Sequence, residues 1–348
     1  MKKLFGICLM TLGLAAALGN AASADPLVFE GKDGAGKGKK VVLIAGDEEY
    51  RSEEALPMLA KILSQHHGFH CTVVFSVDPE KGYIDPNNQK NLPGLEALDD
   101  ADLMIVATRF RTPSDEQMKP FDRYIESGKP VIGLRTATHG FQGKWGYFGR
   151  QILGETWVAH HGGHKREGCR GVIEEANAKH PVLNSVKDVF APSDVYTVKN
   201  LDESQSTVLL RGAVTKTLDP KSEIIDGRKN DPMMSLAWLR EYTSPGGKNG
   251  QAFCTTMGAA VDLVSEDARR IVVNAAFHLT GLEVPAKADV SFVDPFYPSF
   301  YGFITEKEFW PGRNLKPEDF GLGKSPVAKD PPGTPEWPFR KMGPERSK

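Results

Sequence analysis

The sequence predicts an α/β fold in which a parallel sheet is covered by helices on both faces. Four short apolar runs are typical of buried strands, at 41–46, 71–77, 102–108 and 131–134. Segments with helical spacing of apolar residues separate these runs. This alternation of strands and helices is typical of a parallel sheet whose crossover connections are helical.

The first helix follows the first strand. It is indicated by apolar residues at i, i+3, i+4 and i+7, which are Leu56, Leu59, Ala60 and Leu63. The second helix begins at a capping box from Ser114 to Gln117. Gly128 and Pro130 then end this helix, because glycine can adopt the left-handed conformation and proline cannot continue a helix.

The α/β pattern returns near the end of the domain. A strand at 251–257 is followed by a helix that Ser265 caps. Between the two α/β parts, about 168–242, short β-rich runs are joined by polar turns, which predicts a β-rich insertion. Residues 284–312 form an aromatic extension that we expect to lie across the domain. The Pro-rich tail at 313–348 is expected to be disordered.

The amino terminus has the pattern of a secretory signal peptide. Lys2 and Lys3 precede an apolar run from Leu4 to Leu18, and small residues at 22–24 offer a cleavage site. The run is too short to anchor the protein in a membrane. We therefore predict a signal peptide at 1–24, cleavage after Ala24 and a periplasmic or secreted mature protein that has no membrane attachment.

Composition excludes several classes of protein. The formal net charge is −2 and no basic stripe is present, so a nucleic-acid partner is not expected. Outside the signal peptide the cysteines are Cys71, Cys169 and Cys254, an odd number without any Cys-x-x-Cys spacing. That pattern favours neither a disulfide framework nor a thiolate metal site. We expect a small polar ligand, and a homo-oligomer remains open.

Polar side chains follow three of the predicted strands, at the edge where open parallel sheets bind ligands. These candidate substrate-binding residues are Asp47, Tyr50, Arg51, Arg109, Arg135 and Thr136. Arginine at such a place can hold a carboxylate or neighbouring hydroxyls through paired hydrogen bonds. Arg109 could equally pair with Asp47 or Glu49. The strand ends therefore predict a site for a polar ligand.

Histidines form a second group of candidates. His160, His161 and His164 lie within five positions, and His139 lies upstream. Because imidazole titrates near neutral pH, these side chains can act as general acids or bases, and His164 is also a candidate for ligand binding. A divalent metal on this loop is an alternative, but H-E-x-x-H spacing is absent and we predict no metal.

The turn after the last strand adds two further candidates. Met257 is placed to contact a ligand, and Asp262 follows five residues later. The Asp262 carboxylate could orient a histidine, accept a hydrogen bond from a ligand hydroxyl, or cap the turn. Both residues fall at the same predicted edge of the sheet as Arg135.

Four motifs together resemble the ThuA-like (trehalose utilisation) family. They are Gly46–Arg51, Gly128–His139, the loop His160–His164 and Thr256–Ala259. The stretches Asp289–Val293 and Pro298–Phe303 are similar to the secreted bacterial branch of that family. The family shares the fold of the class I glutamine amidotransferases. The resemblance therefore implies a flavodoxin-like α/β domain over 41–283, with a parallel sheet between helices, a β-rich insertion and an irregular C-terminal extension.

The resemblance also excludes one activity. In the amidotransferases this strand leads to a nucleophilic cysteine in a G-x-C-x-G motif, and here the matching residues are Gly133 to Ala137, with Arg135 in place of the cysteine. Arginine stays protonated and offers only hydrogen-bond donors. Glutamine amidotransferase activity is therefore not expected.

The function that the resemblance implies is the utilisation of a carbohydrate, either a trehalose-like disaccharide or a keto-sugar. Arg109 and Arg135 would hold substrate oxygens. His139 and one of His160, His161 or His164 would be general acid and base, oriented by Asp47 and Asp262. Two alternatives remain, a non-catalytic sugar-binding or assembly module and a metal-dependent hydrolase that uses the His160–His164 loop.

Overall fold

The computed structural model describes residues 25–336, so the predicted signal peptide lies outside the described residues. Ten strands form one sheet. The strands are β1 Leu27–Phe29, β2 Lys40–Gly46, β3 His70–Phe75, β4 Leu103–Thr108, β5 Val131–Leu134, β6 Cys169–Ile173, β7 Val189–Ala191, β8 Ser206–Val214, β9 Met234–Thr243 and β10 Asn249–Thr255. The α-helices are α1 Ser52–His67, α2 Asp115–Glu126, α3 Glu266–Leu279 and the short α4 Phe309–Arg313.

The parallel part of the sheet has the order β3-β2-β4-β5-β10. In order of appearance these strands run 2-1-3-4-5, which is the flavodoxin-like arrangement. The predicted α/β fold class is therefore confirmed. In this arrangement the strand order reverses between β2 and β4, and ligands bind beyond the carboxyl ends of the strands at that point.

The predicted β-rich insertion extends the same sheet. Strands β9, β8, β6 and β7 continue outward from β10 through antiparallel pairs. β1, which the sequence reasoning missed, adds an antiparallel edge beside β3. Leu27 and Phe29 alternate with an exposed Val28, but three residues are too few for a clear pattern.

Helices pack on both faces because side chains alternate along the strands. Val41, Leu43 and Ala45 of β2 belong to one apolar cluster together with residues of α1 and α3. Val42 and Ile44 point to the other face and pack in the cluster that contains α2. Complete burial of such a strand explains why its sequence is apolar throughout.

Helix ends follow the predicted signals in part. The Ser114 side chain accepts a hydrogen bond from the Gln117 N–H at the start of α2, and Gly128 has φ +74° directly after that helix. Ser265 precedes α3 without a capping hydrogen bond from its side chain. Cys71, Cys169 and Cys254 are free and buried, and burial raises the pKa of each thiol.

The carboxyl-terminal segment departs from the predicted disorder between residues 313 and 336. A 3₁₀-helix spans Pro317–Phe320, and the buried ring of Phe320 lies 5.9 Å from that of Phe75 on β3. Trp310 is also buried. Burying these large aromatic rings offsets the entropy cost of ordering the segment, which proline-rich composition alone does not reveal. Within residues 25–336, no helix has both the length and the apolar character needed to cross a membrane.

Candidate functional site

Three loops meet beyond the carboxyl ends of β2, β4 and β5. These strands are neighbours and run parallel, so their loops emerge at the same edge of the sheet. Each of the three turns contains a non-glycine residue with positive φ, namely Arg51 at 59°, Phe110 at 52° and Arg135 at 47°. Backbone strain of this kind persists only where the surrounding structure holds it, and it is concentrated at functional sites.

The turn between β2 and α1 is shaped by Asp47. One carboxylate oxygen accepts hydrogen bonds from the N–H groups of Glu49 and Tyr50, at 2.7 and 3.0 Å, and the other accepts one from the Thr136 hydroxyl. Asp47 and Thr136 therefore hold two loops together. The expectation that Asp47 orients a histidine and that Thr136 binds substrate is wrong, because both side chains are buried in this contact.

Arg51 has a structural role as well. Its guanidinium is fully buried and donates hydrogen bonds to the carbonyl oxygens of Glu48 and Gly302, the latter at 2.7 Å. It therefore ties the β2–α1 turn to the carboxyl-terminal segment. This corrects its assignment to substrate binding, since a buried guanidinium with these partners cannot reach a ligand.

The acidic residues of the turn differ in how well they are neutralised. Glu48 is paired with both Arg109 and Arg111. Glu49 has more distant charged neighbours, with one oxygen 3.6 Å from Nε of Arg109 and the other 3.4 Å from Nε2 of His164. Burial, followed by the charge of Asp47, raises the pKa of Glu49 to about 7 although Arg109 opposes this. Glu49 can therefore exchange a proton at neutral pH.

A buried carboxylate, Asp194, organises the histidine loop. Its two oxygens lie 2.7 Å from Nδ1 of His160 and 3.1 Å from Nδ1 of His164. Burial opposes the ionisation of Asp194, but the Arg135 guanidinium and both histidines hold its pKa well below its usual range, so it is ionised and can only accept. Both Nδ1 atoms therefore carry a proton, and the Nε2 atoms face away from Asp194.

The second ring nitrogen of His164 lies near Glu49. Nε2 of His164 faces a carboxyl oxygen of Glu49 at 3.4 Å, which is within ion-pair distance. Glu49 and His164 are therefore neighbouring titratable groups of the site.

Arg135 is the buried cationic partner of Asp194. It donates to the carbonyl oxygens of Asp194 and Thr256, at 2.6 and 2.8 Å, and to a carboxylate oxygen of Asp194 at 3.1 Å. The guanidinium carbon lies 4.5 Å and 3.6 Å from the ring centroids of Tyr50 and Tyr196. With a side chain only 1% exposed, Arg135 supports the site and does not hold substrate, contrary to expectation.

Tyr50 shares this supporting role. Its ring is buried and stacks on Tyr301 at 5.1 Å between centroids, and its hydroxyl accepts a hydrogen bond from Arg135. Met257 is also buried, and its backbone carbonyl accepts a hydrogen bond from the Arg135 N–H at 2.9 Å. Neither side chain is available to a ligand, so both assignments to substrate binding are wrong.

The surroundings of His139 and His161 argue against the acid and base roles that the sequence predicts for them. The ring of His139 is buried beside Phe110 and Trp157, and burial together with Arg109 lowers its pKa to about 3. It stays neutral and is a poor base at working pH. Nε2 of His161 lies 2.7 Å from the carbonyl oxygen of Lys229, so this ring belongs to a different contact.

Asp262 caps the last turn instead of orienting a histidine. Its carboxylate accepts hydrogen bonds from the N–H groups of Gly258 and Ala259, and from both the N–H and the hydroxyl of Ser193. It is fully buried, and burial raises its pKa. The capping interpretation is the one that these contacts support.

A series of contacting side chains includes Arg109 and His164, both neighbours of Glu49, and we call it the rim. Its members are Arg109, Phe110, His139, Trp157, His160, His164, Tyr301 and Phe303. The contacts run in the order Phe303, Arg109, Phe110, His139, Trp157, His160, His164 and Tyr301. Neighbours in this order are 4.3 to 5.3 Å apart, measured between ring centroids or, for Arg109, from the guanidinium carbon. Side-chain exposures of 33% for His160, 28% for His164 and 21% for Arg109 leave this rim accessible from outside.

The same cluster could hold a divalent cation. One ligand atom each from His160, His164 and Asp194 lie within 4.8 Å of one another. Two imidazoles and a carboxylate suit a transition metal such as zinc. Arg135 competes for the Asp194 carboxylate, because its Nη2 already lies 3.1 Å from one of the two oxygens.

A sequence comparison identifies the family to which the chain belongs. A family model described as trehalose utilisation, that of ThuA, matches residues 40–279. The chain belongs to the ThuA family. The matched segment begins at β2 and ends at α3, so it contains every rim residue except Tyr301 and Phe303. No curated protein matches this ThuA protein at a significant level.

Several solved structures are similar to this ThuA protein. A ThuA-like protein of Parabacteroides merdae is 14% identical, with a TM-score of 0.46 over 72% of this chain and 92% of its own. A cytoplasmic protein of Salmonella typhimurium is 12% identical, with a TM-score of 0.39 over 71% and 100% of the two chains. PurLQS of Thermotoga maritima is 14% identical, with a TM-score of 0.37 over 69% and 99%.

Sequence reasoning missed Glu49 as a proton-transfer group and Asp194 altogether. Glu49 was visible only as one of three consecutive acidic residues, and nothing local distinguishes it from Glu48. Asp194 lies 30 residues beyond His164 in the chain, so no spacing motif connects it to the histidines. Of the predicted site residues, the structure brings Arg109, His160 and His164 together around Glu49.

Proposed function

We propose that this ThuA protein acts outside the cytoplasm, in the periplasm or after secretion, on a saccharide related to trehalose that has been oxidised to a keto-sugar. Membership of the ThuA family links the chain to trehalose utilisation. The signal-peptide pattern of residues 1–24 supports the location. The reaction we propose is general acid–base chemistry at the carbon next to the keto group.

The observation that carries the proposal is the contact between Glu49 and His164. The carboxyl group has a pKa of about 7 and lies 3.4 Å from an imidazole nitrogen whose partner nitrogen is fixed by Asp194. A base with a pKa near the working pH combines a sufficient ionised fraction with a sufficient driving force for proton transfer. Glu49 takes a proton from carbon, and His164 or His160 interacts with the keto oxygen.

The other acidic groups of the turn are already committed to partners. Glu48 is held by two arginines, and the Asp47 carboxylate accepts three hydrogen bonds that fix the turn. A glycosidase acting directly on trehalose normally requires two working carboxyl groups on opposite sides of the scissile bond. One available carboxyl group favours removal of a proton that a neighbouring carbonyl makes acidic.

Arg109 supplies the positive charge that such a reaction requires. Its side chain is 21% exposed on the rim, and its Nε lies 3.6 Å from Glu49. A guanidinium offers several donors in a fixed plane, which suits vicinal hydroxyls or a developing enolate oxygen. Arg109 is therefore the substrate-binding arginine in this proposal.

The test follows hydrogen exchange at carbon. Wild-type protein is incubated in D₂O with keto-trehalose, and deuterium entering beside the ketone is measured by mass spectrometry. Glu49→Gln keeps the shape of the side chain and removes its titration, so we expect exchange to fall at least about 100-fold. Glu96→Gln, at an exposed position away from the site, is the matched control and should exchange like wild type. Full exchange by Glu49→Gln would refute the role of this residue.

A metal-dependent hydrolase is the second candidate, because His160, His164 and Asp194 present ligand atoms within 4.8 Å. In that case the purified protein would contain zinc or a related metal, and a chelator would abolish turnover. His160→Ala would lose the metal, whereas His161→Ala would retain it because His161 contacts the Lys229 carbonyl. Elemental analysis of the two variants distinguishes this mechanism from acid–base chemistry by Glu49.

A further inference from the structure

Phe303 has an unusual position for an apolar side chain. Among residues 25–336, the large hydrophobic side chains that are exposed are Val28, Ile224, Phe303, Leu322 and Val327. Phe303 is the aromatic one, is 46% exposed, and its ring centroid lies 4.9 Å from the guanidinium carbon of Arg109 on the rim. What distinguishes Phe303 from the other exposed apolar residues is this contact with a polar site, since ligand sites combine aromatic side chains with a few polar groups.

The backbone next to Phe303 is firmly held. The Gly302 N–H donates to the Glu49 carbonyl oxygen at 2.7 Å, and the Gly302 carbonyl accepts from the buried Arg51 guanidinium at 2.7 Å. Three residues earlier, the N–H and the hydroxyl of Ser299 both donate to the Glu54 carboxylate, at 2.7 and 2.8 Å. The exposed ring is therefore carried by an anchored segment, so little conformational entropy is lost when a ligand packs on it.

The segment that carries Phe303 lies beyond the part of the chain that matches the ThuA family, which ends at residue 279. In this segment Tyr301 contacts His164, and Phe303 contacts Arg109. Gly302 has φ +148°, and a Cβ atom there would lie 2.7 Å from Nζ of Lys165. Lys165 Nζ is the end of a flexible side chain and can move, so the positive φ is what favours glycine at this position.

Arg109 contacts both Phe303 and the Glu49 carboxylate, with Nε 3.6 Å from Glu49 and the guanidinium carbon 4.9 Å from the Phe303 ring. Phe303 is therefore one arginine side chain away from the group at which we place the reacting ring. A second ring joined to it can stack on Phe303, because the apolar C–H face of a pyranose packs on an aromatic ring while its hydroxyls reach the arginine.

We propose that Phe303, held beside Arg109 by the anchored segment Ser299–Phe303, is the stacking platform for the second ring of a disaccharide substrate. This proposal rests on the proposed function, since it assigns the ring next to the one that reacts at Glu49. Phe303 is a specificity-determining residue for the saccharide. It selects a two-ring substrate over a single sugar.

The test measures binding by isothermal titration calorimetry with two probes, keto-trehalose and keto-glucose. All proteins carry Glu49→Gln so that neither probe is turned over. Phe303→Ala should weaken the binding of keto-trehalose about tenfold, equal to about 1.4 kcal/mol, and change that of keto-glucose less than twofold. Phe303→Trp keeps an aromatic face and should retain the affinity for keto-trehalose. Leu322→Ala, at another exposed apolar residue of the carboxyl-terminal segment, should match the parent protein.

The outcomes separate the two proposals. Equal weakening for both probes, or none for either, would overturn the assignment of Phe303 while leaving the proposed function intact. A change in the mass of the protein in solution on Phe303→Ala would assign the ring to contact with a second copy of the chain and would also overturn it. Failure of the parent protein to bind either probe would refute the proposed function itself, without reference to any Phe303 variant.

Discussion

Arg135 and Asp194 form a buried ion pair, 3.1 Å between Nη2 and Oδ1, with side chains 1% and 0% exposed. Arg135 lies directly after β5, and Asp194 comes from the loop that follows β7. The guanidinium fixes the carboxylate to which both His160 and His164 are hydrogen-bonded. The residue at the end of β5 therefore supports two histidines contributed by another loop.

Removal of Arg135 should destabilise the protein strongly. In Arg135→Ala the Asp194 charge stays buried without its cationic partner, and breaking a buried pair in this way costs about 3–5 kcal/mol. The measurement is urea unfolding at pH 7. Arg123→Ala removes the partner of Asp99 at the surface, where the side chains are 56% and 44% exposed, and should cost much less than Arg135→Ala. Similar losses in both variants would contradict the supporting role of Arg135.

The strands and helices of the parallel part were predictable because buried strands and amphipathic helices leave periodic patterns in the sequence, whereas the flavodoxin-like strand order was implied by the family resemblance. β2 is apolar on both faces, and α2 begins at a recognisable cap. The continuation of the sheet through β9, β8, β6 and β7 was not predictable. Pairing between distant segments depends on tertiary packing, which local propensity does not encode.

The titration of Glu49 should appear in the pH dependence of stability. Its pKa is raised from 4.5 to about 7, so between these pH values the native protein keeps a proton that the unfolded chain releases. The contribution is fully present below pH 4.5 and is lost as pH rises through 7, so the free energy of unfolding falls over this interval. The loss amounts to about 3 kcal/mol at 1.36 kcal/mol per pH unit.

Glu49→Gln isolates this effect, because glutamine does not titrate and other groups contribute equally to both proteins. The variant should match the wild type near pH 4.5 and become more stable than it by about 3 kcal/mol above pH 7. Urea unfolding at several pH values gives the difference directly. A difference that does not change with pH would show that Glu49 titrates normally in the native protein.

Replacement of Asp194 should affect catalysis through the orientation of the two histidines. Asparagine offers one acceptor and one donor where the ionised carboxylate offers two acceptors, so it cannot accept from both Nδ1 atoms. One imidazole must then change its tautomer or turn away from Glu49. In Asp194→Asn we expect kcat to fall at least about 100-fold with a small change in KM, because the lost function is proton transfer.

Two measurements distinguish orientation from simple loss of stability. ¹⁵N NMR of the imidazoles should show Nδ1–H in both His160 and His164 of the wild type, and a changed tautomer of one ring in Asp194→Asn. Asp188→Asn is the control, since Asp188 pairs with Arg170 at the surface and is 76% exposed. A loss of kcat with unchanged tautomers in Asp194→Asn would refute the orienting role.

The sequence revealed part of the candidate site. Arg109, His160 and His164 were recognisable as titratable or cationic groups at strand ends and on a histidine-rich loop. Arg135, Tyr50 and Asp262 have the same chemistry in the sequence, but the fold turns them inward, and burial excludes them from binding. Whether a polar side chain at a strand end faces solvent depends on the loops that cover that edge of the sheet. Here those loops are residues 160–164, 194–196 and 301–303, which are distant in the sequence.

The anchored segment should be sensitive to a side chain at Gly302. Gly302→Ala places a Cβ atom 2.7 Å from Nζ of Lys165 at a φ of +148°, which L-residues rarely adopt. The strain, about 1–3 kcal/mol, is relieved if the segment leaves the β2–α1 turn, which breaks the hydrogen bonds to Glu49 and Arg51. Hydrogen exchange of residues 299–303 should therefore accelerate, while exchange in β2 and α1 stays at the wild-type rate.

Gly312→Ala provides the matched control, because a Cβ atom there has no neighbour within 4 Å and the residue lies in the same carboxyl-terminal region. It should leave exchange and turnover unchanged. In Gly302→Ala, Phe303 and Tyr301 lose their fixed places on the rim, so turnover of a disaccharide should fall more than that of the single sugar. Wild-type exchange of residues 299–303 in Gly302→Ala would mean that Lys165 moves aside instead, and that glycine is not required for this contact.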